Sequence, residues 1–260
     1  MIRRIANSIV FYQFASLTHY EELLHAVFTR IGGTSQGSFQ SLNVGHFIGD
    51  DDTAVQSNHE RIFQTLGIKA DTVVTARQVH GEHVAVVGAA QWGTIMPATD
   101  SLVSAERGTA LLLRFADCVP LMLYDPSRHA IGLVHVGWRG LFADVVLNTV
   151  AALRQAFACN PCHLVAGIGP AIGPCCYEVG PEVVAQVEQA FGAGSDLLLP
   201  QPNGTVHFDL PGAVRRQLQD LGVTQIEDSG LCTSCHTAEF FSHRAEHGRT
   251  GRFAAMLALR

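Results

Sequence analysis

Little of this chain is charged: Asp, Glu, Lys and Arg make up 15% of its 260 residues, and 23 acidic against 17 basic side chains leave a net charge of -6. That balance excludes a protein held to nucleic acid or to an anionic membrane by a general positive field, so any anionic ligand must be met by a local cluster of cations. Long apolar runs are missing too. The most apolar segments are interrupted within about ten residues, short of the roughly 20 a membrane-crossing helix requires. No repeat of fixed period is present. Asn7, Ser8 and Gln13 break the only N-terminal stretch that resembles a signal peptide, so export is not expected. The seven cysteines are odd in number and include the adjacent pair Cys175-Cys176, a poor basis for a secreted disulfide framework and a better one for a reducing, cytoplasmic setting.

What is present is a hydrophobic content of 47%, enough to bury a substantial core. Asp51-Asp52-Thr53 is placed to cap a helix over residues 54–66. Strands are expected at 72–75, 83–87 and 109–115, at 163–169, 206–209 and 224–226, and at 253–257 to close the chain. One amphipathic helix should run from about Leu141 to Phe157, a second from Pro181 to Phe191 and a third over 211–221, with a Gly/Pro/Asn loop at 192–204. Strands and helices alternate throughout, which makes the fold class α/β or α+β with mixed sheets. The glycine-rich stretch 31–45 is a long loop, of the kind that is often functional.

The strongest local signal lies between Ala116-Asp117-Cys118-Val119-Pro120 and His135-Val136-Gly137-Trp138-Arg139-Gly140. Two apolar runs separated by Asp125-Pro126-Ser127-Arg128 read as a β-hairpin, and Pro126 excludes a type I′ turn. Pairing Tyr124 with His129 puts Cys118 opposite His135, with Cβ atoms about 4.5–5.5 Å apart. A thiol facing an imidazole is either a buried core pair or the start of a metal or nucleophile site. Arg139, on the glycine-rich turn after His135, offers either an anion contact or simple packing at a tight corner. Cys159-x-x-Cys162 and Cys232-x-x-Cys235 look like the two knuckles of a zinc ribbon, but their separation far exceeds the usual about 15–20 residues.

Further blocks accompany the hairpin: Phe28-Thr29-Arg30 with Gly32-Gly33, Ser41-Leu42-Asn43, Gly49-Asp50, Gln78-Val79-His80-Gly81, Gly167-Ile168-Gly169-Pro170, Cys175-Cys176-Tyr177-Glu178-Val179 and Thr250-Gly251-Arg252. With them the chain resembles the YfiH family, also called the laccase-domain, polyphenol oxidase or peptidoglycan editing factor family. Arg244-Ala245-Glu246-His247 departs from that family's usual Arg-Arg-Asp. The resemblance implies a single α-β-β-α domain over residues 1–260 and zinc held by His80, Cys118 and His135. It also implies phosphorolysis of adenosine, inosine, guanosine and methylthioadenosine, and deamination of adenosine.

For that chemistry His80, Cys118 and His135 are the expected catalytic centre, with Asp117 as a support or proton carrier. Phosphorolysis needs cations for phosphate, so Arg30, Arg77 and Arg139 are the expected phosphate contacts, and Asn43 and Gln78 the ribose or base contacts. Glu82 is a further acid/base candidate outside the resemblance. Two other readings share the Cys/His/His set: a copper-dependent polyphenol oxidase, and a Cys118 amidase acting on peptidoglycan precursors. The partners expected are small-molecule purine nucleosides and phosphate, with neither nucleic acid nor membrane.

Overall fold

The alternation of side chains along the central strands decides the architecture. In the computed structural model, which describes residues 1–260, one sheet runs in the spatial order β1 (Ile2–Ala6), β2 (Ile9–Gln13), β3 (Leu23–Phe28), β16 (Phe253–Leu259), β8 (Ala110–Phe115), β4 (Val73–Ala76), β6 (Ile95–Met96). A second has the order β15 (Gln225–Asp228), β11 (Val165–Ile168), β9 (Val119–Asp125), β10 (Ala130–Val136), β7 (Ser101–Ser104), β5 (Val84–Val86). Both are mixed: β4 pairs in parallel with β6 and β8, β11 with β15 and β5 with β7, while the other pairs are antiparallel. A small third sheet joins β12 (Glu178–Val179), β14 (Val206–Phe208) and β13 (Leu198–Pro200).

Both faces of the two large sheets are covered. Leu111, Leu113 and Phe115 of β8 share one apolar core with Met122 and Tyr124 of β9 and with Ile131 and Leu133 of β10. Their neighbours in sequence point the other way, as a period of two requires. Ala110 and Leu112 pack toward Ile62 of α1 (Asp52–Leu66). Leu121, Leu123, Val134 and Val136 pack with α3 (Val145–Phe157), α4 (Pro181–Phe191) and α5 (Leu210–Asp220). The layers are therefore α-β-β-α, as expected.

Three sequence expectations need correction. The four-residue turn lies one residue further along the chain, closing at Asp125 opposite Ala130, so His135 lies opposite Pro120 and not Cys118. Asp125 Oδ1 accepts from the backbone N–H of Ser127 and Arg128, which fixes this turn. Because the shift is by two residues, every side chain keeps its face. The single helix expected after Gly140 is two, α2 (Trp138–Phe142) and α3, separated where Asp144 adopts φ 65. The loop expected at 192–204 contains β13, which pairs with β14.

Gly167 lies in β11, where an added Cβ would come within 2.5 Å of the fully buried Phe14 ring. Gly167→Ala is expected to lower stability by about 1–3 kcal/mol, the usual range for overpacking. Urea unfolding measures it, and an unchanged midpoint would show that the two sheets yield at this contact.

Candidate metal centre

The site is built where β9 begins and β10 ends. Cys118 immediately precedes β9 and His135 is the penultimate residue of β10, while His80 comes from the loop after β4. Ligand atoms of the three side chains all lie within 4.8 Å of one another. The His80 and His135 rings meet edge to face at 4.7 Å between centroids. Gly137 makes room: a Cβ there would stand 3.0 Å from His80 Cδ2 and 3.1 Å from Cys118 Sγ.

One carboxylate holds this arrangement. Asp100 has no exposed surface, and its Oδ2 accepts from the backbone N–H of Val79 at 3.1 Å and Gly81 at 2.8 Å. Its Oδ1 accepts from the His80 N–H at 2.9 Å and from His135 Nδ1 at 2.8 Å. The backbone carbonyl of Asp100 also accepts from the His135 N–H at 2.8 Å. His80 has φ 60, a conformation uncommon outside glycine, and three amide bonds to one carboxylate stabilise it there. With Nδ1 committed to Asp100, His135 has Nε2 left to face Cys118 and His80.

The charges follow from this packing. Burial pushes the Cys118 thiol up, but the charge and hydrogen bond of His135, aided by His80, outweigh it and bring the thiol down to about 6. Burial pushes His135 down, while the Cys118 charge and the Asp100 hydrogen bond raise it to about 9. Burial opposes ionisation of Asp100, and His135 with the surrounding N–H groups more than offsets this, leaving its carboxyl below the usual range. A thiolate and two imidazole nitrogens suit zinc or copper, and three protein donors match a catalytic rather than a closed structural set.

Asp117 takes the left-handed φ 84 and turns its carboxylate away into hydrogen bonds. Oδ1 accepts from the Thr233 hydroxyl at 2.6 Å and Oδ2 from the Arg244 N–H at 2.7 Å. Gln78 and Asn43 are also occupied. The Gln78 amide bonds both the N–H and the C=O of Arg114, prolonging the β4–β8 ladder. The buried Asn43 bonds Asp50, Gly45 and the Arg252 N–H. Arg30 is used up by the Gln40 and Thr237 carbonyls and the Glu246 carboxylate. Arg77 and Arg139 are exposed; Arg139 lies over the Trp138 ring at 4.3 Å. Glu82 is exposed beside the His80 loop.

Four contributors escaped the sequence reading. Asp100 lies in Thr99-Asp100-Ser101, which carries no motif. Tyr177 and Arg252 belong to blocks already noted, but nothing in them marked a role. Tyr177 lies close enough to Cys118, Asp117, Arg139 and Arg244 to feel their charges, and burial followed by the Cys118 charge keeps its phenol protonated. Arg114 and Arg252 are half-buried and sense each other's charge; burial first, then Arg252, lowers the Arg114 guanidinium. Arg252 is lowered by burial and senses Cys118 and Asp117. Their side chains donate to backbone carbonyls alone, those of Ala76, Thr250 and Gly251, so neither has a carboxylate partner.

Residues 24–260 match the family described as multi-copper polyphenol oxidoreductase laccase. The chain belongs to this laccase-like YfiH family. Within the family it is similar to the purine nucleoside phosphorylase YlmD of Geobacillus stearothermophilus, 38% identical over 89% of this chain and 88% of that one. It is 40% identical to the purine nucleoside phosphorylase ORF3 of Streptomyces griseus, over 90% of this chain and 94% of that one. In three dimensions it is similar to the hypothetical protein YfiH of Bacillus licheniformis, with TM-score 0.91, 31% identity and 99% of each chain covered. The crystal structure of Geobacillus YlmD superposes with TM-score 0.90 at 36% identity, covering 96% of this chain and 98% of that one.

Replacing Asp100 by Ala is expected to cost about 3–5 kcal/mol, the range for breaking a buried charged pair, measured by denaturant unfolding. A cost under about 1 kcal/mol, that of a single neutral hydrogen bond, would contradict its central role. In metal-free protein, alkylation of Cys118 by iodoacetamide, followed by peptide mass spectrometry, should rise through an apparent pKa of about 6, against about 8.5 for an ordinary thiol. His135→Ala removes the stabilising cation and leaves the effect of burial, so the midpoint should move upward.

Proposed function

We propose that this protein is a purine nucleoside phosphorylase that cleaves adenosine, inosine, guanosine and methylthioadenosine with inorganic phosphate and also deaminates adenosine, using zinc held by His80, Cys118 and His135. The observation that carries this reading is the juxtaposition of two arginines lacking any carboxylate partner with a Cys/His/His donor set. Burial lowers both guanidinium groups, the Arg252 charge adds to the effect at Arg114, and an anion held between them offsets both effects. Inorganic phosphate is such an anion, and the relatives' names point to the same co-substrate.

Zinc, when bound, supplies Lewis acidity and lowers the pKa of water, which suits attack at purine C6. The chain's own residues do the rest. Arg252 and Arg114 bind phosphate, and Arg139 adds positive charge where the anion arrives. Phosphorolysis breaks the bond between ribose C1′ and the purine nitrogen while positive charge develops on the sugar, so a phosphate dianion positioned beneath that carbon both attacks and stabilises. Tyr177, kept protonated, is placed to donate a hydrogen bond to the leaving base. Asp100 keeps the proton of His135 on Nδ1, so that Nε2 remains a ligand. Asp117 positions Cys118 and does not carry protons, since both its oxygens are already occupied.

The low Cys118 pKa also suits a thiol nucleophile, the amidase reading. A third donor, His80, held against the thiol by its own amide bonds, has no task in that mechanism and a clear one in metal binding. A copper oxidase of the multicopper type needs several histidine-rich centres, and His80-Cys118-His135 is the one group here that contains histidine.

Adenosine incubated with and without phosphate, with products separated, tests the assignment. Adenine and ribose 1-phosphate appearing only with phosphate support phosphorolysis, and inosine without phosphate supports deamination; the absence of both overturns the reading. Arg252→Ala should raise the phosphate KM roughly tenfold or more, the loss of a charge-assisted contact worth about 1.5–3 kcal/mol. The adenosine KM should change far less, and an unaltered phosphate KM would remove Arg252 from the phosphate site.

A further inference from the structure

A second cluster of donors lies outside this site. Cys175 and Cys176, on the loop after β11, meet Cys232 and Cys235, on the loop after β15, and all four sulfurs lie within 4.8 Å of one another. The ribbon pairing expected from spacing is not formed: Cys159 is buried in the core beside α3, and Cys162 lies exposed at its C-terminal side. Cys232 and Cys235 instead take the adjacent cysteines as partners.

Adjacent side chains on an extended strand point to opposite sides. Here the chain turns at 174–176, closed by the N–H groups of Cys176 and Tyr177 donating to the Gly173 carbonyl, both at 3.0 Å, and the turn brings both thiols to one side. Cys235 Sγ lies 3.5 Å from Cys175 Sγ and 3.4 Å from Cys176 Sγ. All seven cysteines are free, and these separations far exceed the about 2.05 Å of a disulfide. They are close to the roughly 3.8 Å between sulfurs in a tetrahedron with zinc–sulfur bonds of about 2.3 Å. The Gly173 N–H donates to Cys232 Sγ at 3.2 Å, the kind of outer contact that stabilises a metal-bound thiolate.

We infer that Cys175, Cys176, Cys232 and Cys235 form a second metal centre, a closed tetrathiolate site for one zinc ion that fastens two loops behind the Cys/His/His group. The same loops already touch: Ala171 bridges Cys232, and the Thr233 N–H donates to the Ala171 carbonyl at 2.9 Å. Both reach Asp117, since the Ile172 N–H donates to its carbonyl at 2.9 Å and the Thr233 hydroxyl to its carboxylate at 2.6 Å. Tyr177 directly follows Cys176. A zinc ion at this point ties the backbone of Asp117, and through it Cys118, to the phenol of Tyr177. Four thiolates leave no position for substrate, so the role is structural.

Metal content and metal spectroscopy test this without reference to any activity. Protein purified under reducing conditions with zinc should carry about two zinc ions per chain, one from each donor set. Cys118→Ser should remove one and leave the other, and the double variant Cys175→Ser/Cys235→Ser should do the converse. In Cys118→Ser protein, where all four thiols are intact, X-ray absorption should show zinc surrounded by sulfur alone at about 2.3 Å, and cobalt should give intense thiolate charge-transfer bands. One zinc per wild-type chain that vanishes in Cys118→Ser would overturn the proposal. So would the double variant Cys175→Ser/Cys235→Ser keeping the same zinc content as the wild type.

Discussion

The Asp100 carboxylate is the constraint on which the candidate centre depends. It joins three parts of the chain with no local reason to meet: the loop after β4, the start of β7 and the end of β10. Removing a carboxylate from water is costly, and only a full set of donors offsets that cost. Here three amides and an imidazole supply the set. Because its folded pKa is depressed, the stability it contributes is fully present above the unfolded value of about 3.9 and is lost as the pH falls through the folded one. The His80 backbone stays left-handed for as long as that carboxylate is charged, so site geometry and acid stability depend on the same group.

The mixed α/β class was legible from alternation, whereas the α-β-β-α layering came only with the family resemblance. In β8, β9 and β10 successive residues feed two different cores, and a run buried on both faces announces a strand covered on both sides. The convergence of Cys118 and His135 was legible for a weaker reason. The turn starts one residue later than Pro126 suggested, where Asp125 caps it with its own carboxylate, yet the resulting even register shift preserves faces and the two side chains still converge. An odd shift would have separated them.

What could not be read was which polar side chains were already engaged. Gln78 and Asn43 have the chemistry of nucleoside ligands and spend it on neighbouring backbone. Arg30 and Arg252 are both arginines of noted blocks, but one meets Glu246 and the other meets only carbonyls. The Arg30 and Asn43 outcomes depend in part on contacts across more than two hundred residues of sequence, to Glu246 and Arg252, which no local pattern encodes. The cysteine pairs show the same limit from the other side. Cys-x-x-Cys spacing marks two of the four clustered thiols at 232–235, whereas the other two are adjacent cysteines that only a tight turn can make convergent.

The placement of charge connects these observations. The chain is acidic overall, yet around Cys118 it gathers Arg114, Arg139, Arg244 and Arg252 while the nearby Asp117 and Asp100 are turned into hydrogen bonds. A protein that needed these arginines only for stability would pair them, as it does Arg30 with Glu246 and Arg215 with Asp228. Burial, and then the Arg252 charge, lower the Arg114 guanidinium, while burial alone lowers that of Arg252 against the raising effect of Cys118 and Asp117. The phosphate proposed to bind there would offset that lowering. A related balance holds the Cys118–His135 pair: a thiol lowered beside a raised imidazole, in a corner left open by Gly137, would be stabilised further by a divalent ion that takes the proton's place on His135.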